Sequence, residues 1–104
     1  MNLLAVVPET APVRVTVGGY LAHDCPHVTE HDQGSVSIAW TCNGSTLELH
    51  SLREYLASFE GVPVSHEQIT EQIRSDLAAI DGLADVTVST SWNTAGLGVC
   101  VGAP

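Results

Sequence analysis

A chain of 104 residues holds one domain, long enough to bury a core without disulfides or a structural metal. Hydrophobic residues make up 44% and charged residues 14%, which excludes a disordered chain, and the scarcity of aromatics leaves Val, Leu, Ile and Ala to build the core. The net charge of −9, from twelve acids against three arginines and no lysine, is a poor surface for nucleic acid, whose phosphates are bound by Lys and Arg.

Residues 1–12 are read as an N-terminal lead bracketed by Pro8 and Pro12, and residues 13–104 as a single domain. Met1 to Val7 is apolar but too short to span a membrane, and it lacks a basic leader. Cys25, Cys42 and Cys100 make an odd count with no CxxC pair, so the expectation is a reduced, cytoplasmic protein with no membrane association. Val13, Val15 and Val17 alternate with Arg14 and Thr16 as a strand does, Gly18-Gly19 marks a bulge or bend, and Tyr20 to Ala22 continue toward Cys25. Val36, Ile38 and Trp40 alternate with Ser35, Ser37 and Ala39, and Asn43-Gly44 turns the chain into Thr46–Leu49, which reads as an antiparallel meander. The period then changes. Leu52, Tyr55, Leu56 and Phe59 share one helix face that ends at Gly61 and Pro63. Ser65 with Gln68 predicts a capping box, followed by an apolar stripe of Ile69, Ile73, Leu77 and Ile80. Val86 and Val88 begin a further strand, Asn93 to Gly96 turn, and Leu97, Val99 and Val101 make the last. This order predicts an α+β fold: a four-stranded antiparallel sheet with two helices on one face, and open edges suited to pairing with copies of the same chain.

The chemistry is expected between Cys25 and Asp32, on a polar connection between two strands. A nucleophilic cysteine needs a thiolate, which nearby cations and hydrogen-bond donors favour, and His23, His27 and His31 crowd Cys25 in sequence. Cys42 and Cys100 lie in strand-like runs and read as structural. Asp32 is a candidate general acid or, failing that, a turn residue. His23, Cys25, His27 and His31 are zinc-ligand types, but their spacing matches no common structural site, and no metal is expected. Glu48, between Leu47 and Leu49, is a half-buried carboxylate that is costly unless it meets a ligand or a donor. Glu67 serves either the helix dipole or, with His66, the N–H edge of a purine-like base.

Several anchors in one order resemble a family, the tunnelling-fold enzymes related to 7-cyano-7-deazaguanine reductase (QueF), the nitrile reductase of queuosine biosynthesis. They are Cys25-Pro26 with Asp32, Glu48 with Ser51-Leu52, Tyr55-Leu56, Ser58-Phe59, and His66-Glu67. The resemblance implies that Cys25 adds to the nitrile carbon as nucleophile and that Asp32 donates the proton. It implies that Glu67 anchors the base, with Glu48, His66 and Ser51 lining the same pocket. It also implies a homo-oligomeric barrel with active sites between subunits. In the reductases a Glu-Ser-Lys-Ser-Leu-Lys-like segment holds cofactor phosphates; here Glu48-Leu49-His50-Ser51-Leu52-Arg53 keeps only Arg53 as a fixed charge. A Pro-Arg-Gly-Gly-like turn is replaced by Thr94-Ala95-Gly96. The pattern is most similar to the short branch of archaeosine synthases, amidinotransferases that accept ammonia in place of hydride. That similarity implies no cofactor and, as substrate, 7-cyano-7-deazaguanine free or within tRNA or DNA. The alternatives are an NADPH-dependent reductase, with His50 and Arg53 at the cofactor, and a non-catalytic purine- or pterin-binding relative.

Overall fold

The computed structural model describes residues 3–27 and 30–103. Met1, Asn2, Val28, Thr29 and Pro104 lie outside the described residues, so the lead and the Cys25–Asp32 stretch are each seen in part. Eight elements follow one another: β1 (Val6–Glu9), β2 (Arg14–Asp24), β3 (His31–Cys42), β4 (Gly44–Leu47), α1 (Leu49–Ala57), α2 (His66–Ala78), β5 (Leu83–Thr94) and β6 (Leu97–Ala103).

Four of the strands form one antiparallel sheet in the order β2-β3-β5-β6, with β2 and β6 as its edges. Cross-strand partners point to the same side of a sheet. The rows Val17–Ile38–Val88, Gly19–Val36–Thr90 and Leu21–Gly34–Trp92 therefore share a face. Both helices cover that face. Leu52 and Leu56 of α1 and Ile69, Ile73 and Leu77 of α2 enter one core with Leu21, Val36, Ile38, Trp40 and Val88. The other face carries Ser35, Ser37, Ser89 and Ser91, all exposed. Alternation of large apolar and small polar residues thus sets which side is buried, as the period of two predicts.

The helices begin where their sequences allow. Ser65 caps α2 by accepting from the Gln68 amide at 3.0 Å, and the Gln68 side chain accepts from the Ser65 amide at 3.1 Å, the capping box expected from the sequence. Tyr55 ties α1 to α2 by donating to Asp76 at 2.5 Å, and burial, reinforced by that carboxylate, pushes its phenol pKa up.

Several features differ from the sequence expectations: Asp32 lies within β3 and not on the connection, and Leu49 opens α1 where the sequence predicts the end of a strand. Val6–Glu9 is not a loose lead but a strand that pairs with β4, forming a two-stranded ribbon apart from the main sheet. The meander therefore ends at Cys42, and the local pattern is silent on this because strand partners distant in sequence leave no periodic mark. Gly18 and Gly19 keep regular register with Ser37 and Val36; the irregularity lies between Ala39 and Thr41, opposite β5. Cys42 is buried, as expected of a structural cysteine, but Cys100 is exposed beside Ser91 on the uncovered face.

Candidate active site

Strands β2 and β3 meet at the Cys25 end of the sheet, where His23 lies opposite Asp32 on the helix-covered side. His66, the first residue of α2, enters the same space. Because Ser65 and Gln68 complete the cap, the His66 ring is free to donate through Nε2 to Asp32 Oδ2 at 3.2 Å. Thr94 Oγ1, at the end of β5, stands 3.5 Å from the same nitrogen. Trp92 backs the cluster, stacking on His66 with ring centres 4.7 Å apart and meeting His23 edge-on at 4.7 Å. Its indole N–H is satisfied by Thr90 at 2.8 Å, and Thr90 shares a 2.7 Å hydrogen bond with Thr70 of α2. Position 34 must be glycine for this wall to stand. A Cβ there would come within 2.3 Å of the Ser91 carbonyl and 2.6 Å of the Trp92 ring.

His23 is 1% exposed, and its Nδ1–H donates to the Asp24 carbonyl at 3.0 Å. Among the described residues its Nε2 has no hydrogen-bond partner, and it lies 3.8 Å from Asp32 Oδ2. The sequence singles out His23 as a neighbour of Cys25 and, with Cys25, His27 and His31, as a zinc-ligand type, but not as a partner of Asp32. Its pairing with Asp32, and the parts played by Trp92, Thr70 and Thr90, depend on strand register and were not legible locally.

Cys25 begins the connection just beyond β2. Its amide donates to the Glu30 carbonyl at 2.9 Å, closing the loop, and its side chain is partly exposed. With Pro26, His27, Glu30 and His31 it lines an open recess against Gly61 and Pro63. The segment after α1 is stitched to this end: Asp24 donates to Val62 O at 3.0 Å and accepts from the Val64 amide at 3.2 Å. His31 pairs with Asp24 at 3.0 Å and does not join Asp32.

The remaining sequence-derived candidates are placed elsewhere in the single chain. Glu48 is the N-cap of α1, accepting from the His50 and Ser51 amides at 3.0 and 2.6 Å and meeting His50 Nδ1 at 2.8 Å. These donors hold its carboxyl well below the usual range, at about 2, with the Ser51 amide the largest cause. The buried Ser51 hydroxyl accepts from the Ala5 amide at 3.0 Å, anchoring the N-terminal segment. Helix α1 separates this corner from Cys25, since its C-terminal end, not its start, leads to the turn beside Asp24. Arg53 lies on α1 in an apolar groove along β2, and exposed Glu67 faces a groove with Phe59, Val64 and Glu71. One chain therefore unites Asp32 with His66 and leaves Glu48 and Ser51, at the far end of α1, apart from Cys25.

Comparison with known proteins follows the same outline. The family described as QueF-like protein matches residues 31–101. The NADPH-dependent 7-cyano-7-deazaguanine reductase of Rhodopirellula baltica is 31% identical over 102 residues, covering 91% of this chain and 82% of that protein. The enzyme of the same name from Chlorobium luteolum is 29% identical over 72 residues, 69% of this chain. That match spans only 62% of the length of the Chlorobium protein. Among solved structures, the archaeosine synthase QueF-Like in the apo form superposes with a TM-score of 0.85 at 21% identity, covering 90% of this chain and 94% of that one. At that identity the likeness establishes the tunnelling fold. No helix among the described residues is long and apolar enough to cross a membrane.

Proposed function

The chain belongs to the QueF-like family, and on that premise we propose that it converts the nitrile of 7-cyano-7-deazaguanine to an amidine through a covalent Cys25 thioimide. The Cys25 sulfur adds to the nitrile carbon, and Asp32 gives a proton to the nitrile nitrogen. Ammonia then adds to the thioimide carbon and the Cys25 thiol leaves, so that no electrons are exchanged. His66 orients Asp32 through the 3.2 Å hydrogen bond. Glu67 would hold the N–H edge of the base, with Glu48 and Ser51 at the same pocket. The separation of Glu48 and Ser51 from Cys25 within one chain favours an assembly in which the α1 corner of one copy meets the Cys25 end of another.

One observation carries the choice of ammonia over hydride: the occupation of the arginines. Arg14 is bound to Thr41, the Asp85 carbonyl and Thr87, at 2.9 to 3.2 Å. Arg74 is paired with Glu71 at 2.6 Å. Arg53 alone stays clear of such bonds among the described residues, and His50 is turned onto Glu48 at 2.8 Å. A reduced dinucleotide needs several cationic or N–H partners for its phosphates, and these residues fit it poorly. The same charge balance favours a free base over one carried in tRNA or DNA. The reductase remains the second reading because the curated relatives carry that name.

Intact-mass measurement after incubation with the free nitrile base should show one added base, absent in Cys25→Ala. Ammonium should discharge the adduct as amidine with no change in NADPH absorbance. Steady NADPH oxidation would overturn the amidine reading, and the absence of any adduct would favour the non-catalytic relative.

A further inference from the structure

We propose that His23, Asp32 and His66 form a binding site for one late first-row divalent cation, zinc being the probe, with two imidazole nitrogens and one carboxylate oxygen as ligands. The ligand atoms come from β2, β3 and the first turn of α2 and all lie within 4.8 Å of one another. Asp32 Oδ2 is 3.2 Å from His66 Nε2 and 3.8 Å from His23 Nε2. Zinc sits about 2.0–2.2 Å from nitrogen and oxygen ligands, so an ion among these three atoms requires shifts of only a few tenths of an ångström.

The second, independent observation is His23 itself. A buried imidazole nitrogen without a hydrogen-bond partner among the described residues is costly in an apolar interior, and this one lies 3.8 Å from Asp32 Oδ2, within the same cluster as His66. Its other ring nitrogen donates to the Asp24 carbonyl, which is how protein-bound zinc ligands are usually oriented from behind. Trp92 fixes both rings, stacked on one and edge-on to the other. Two imidazoles and a carboxylate suit zinc, and three protein ligands leave a fourth position for water. Thr94 Oγ1, 3.5 Å from His66 Nε2, stands close enough to hold that water.

Binding would displace the proton that His66 Nε2 now donates to Asp32, so uptake is accompanied by proton release. The ion also holds Asp32 as a carboxylate, the form that has no proton to give to the nitrile. If the proposed reaction holds, zinc and nitrile addition exclude one another, so the loaded state is the inactive one. This last consequence rests on the proposed function; the binding site does not.

The test is titration of zinc into the chelator-treated full-length protein without nitrile base, competed against a chromophoric chelator. One ion per chain is expected, with affinity weakened at least roughly 10-fold in Asp32→Asn and in His23→Gln. His31→Gln and Cys25→Ser should leave it unchanged. Because substitution of His23 in the interior can impair folding, cobalt loading of the unaltered protein supplies a second readout. The expected spectrum has d–d bands of a nitrogen- and oxygen-ligated ion and no thiolate charge-transfer band. Absence of stoichiometric binding would overturn the proposal. So would a thiolate band, or binding lost in Cys25→Ser but kept in Asp32→Asn. Loss of zinc binding together with an intact nitrile adduct separates this proposal from the thioimide reading, which the adduct alone decides.

Discussion

The two helices start in opposite ways. At α1 the residue singled out for ligand binding, Glu48, spends its carboxylate on the helix, accepting from two amides and drawing the His50 ring onto itself. At α2 the cap is supplied by Ser65 and Gln68, and His66 reaches across to Asp32. The carboxylate that caps its own helix is already satisfied, whereas the residue whose helix is capped by its neighbours can face a ligand. In this chain the arrangement gives the second helix, not the first, direct access to the Cys25 end.

The comparison breaks most severely at the wall behind His66. Trp92→Ala removes a buried indole packed on both histidines and should cost about 3–5 kcal/mol in urea unfolding. A loss near zero would mean that the histidines are held without it. Ser65→Ala withdraws the α2 cap and should cost about 1 kcal/mol, with no change in the acid limb of stability. Glu48→Gln tests the other helix start through pH. The folded value of about 2 lies below the ordinary 4.5, so the carboxylate's contribution is fully present above pH 4.5 and is lost as the pH falls toward 2. Glu48→Gln should therefore melt below the unaltered protein at neutral pH, with the gap closing across that window. A gap that persists undiminished to pH 2 would contradict the cap's ionisation. The smallest effect is expected away from both helices, at the β5–β6 turn, where Ala95 has φ +53°. Ala95→Gly relieves a left-handed alanine and should raise stability by about 0.5–1 kcal/mol in the same urea assay.

The parts of the fold written in short-range periodicity were legible from sequence. The Ser65–Gln68 cap, the apolar stripe of α2 and the alternation in β2, β3 and β5 each depend on neighbours within a turn or two. The pairing of Val6–Glu9 with Gly44–Leu47 was not, because no local pattern records a partner some forty residues away. The site divides in the same way. Cys25 and Asp32 stand out by residue type and spacing, but the row that sets His23 opposite Asp32 is decided by register along the whole of β2 and β3. Glu48, set between Leu47 and Leu49, reads from sequence as a carboxylate in need of a ligand or a donor. That the donors are backbone amides of its own helix follows from where α1 begins, at Leu49, three residues ahead of the apolar stripe that revealed it.

Gly34 has a consequence for how sequences of this kind can diverge. A side chain there is blocked twice, by the Trp92 ring and by the backbone oxygen of Ser91. Shrinking Trp92 removes only the first obstacle, so a change at 92 does not license a later change at 34. Loss of the Trp92 ring, costly in itself, therefore still leaves position 34 blocked, and glycine stays fixed there for as long as β3 and β5 keep this pairing.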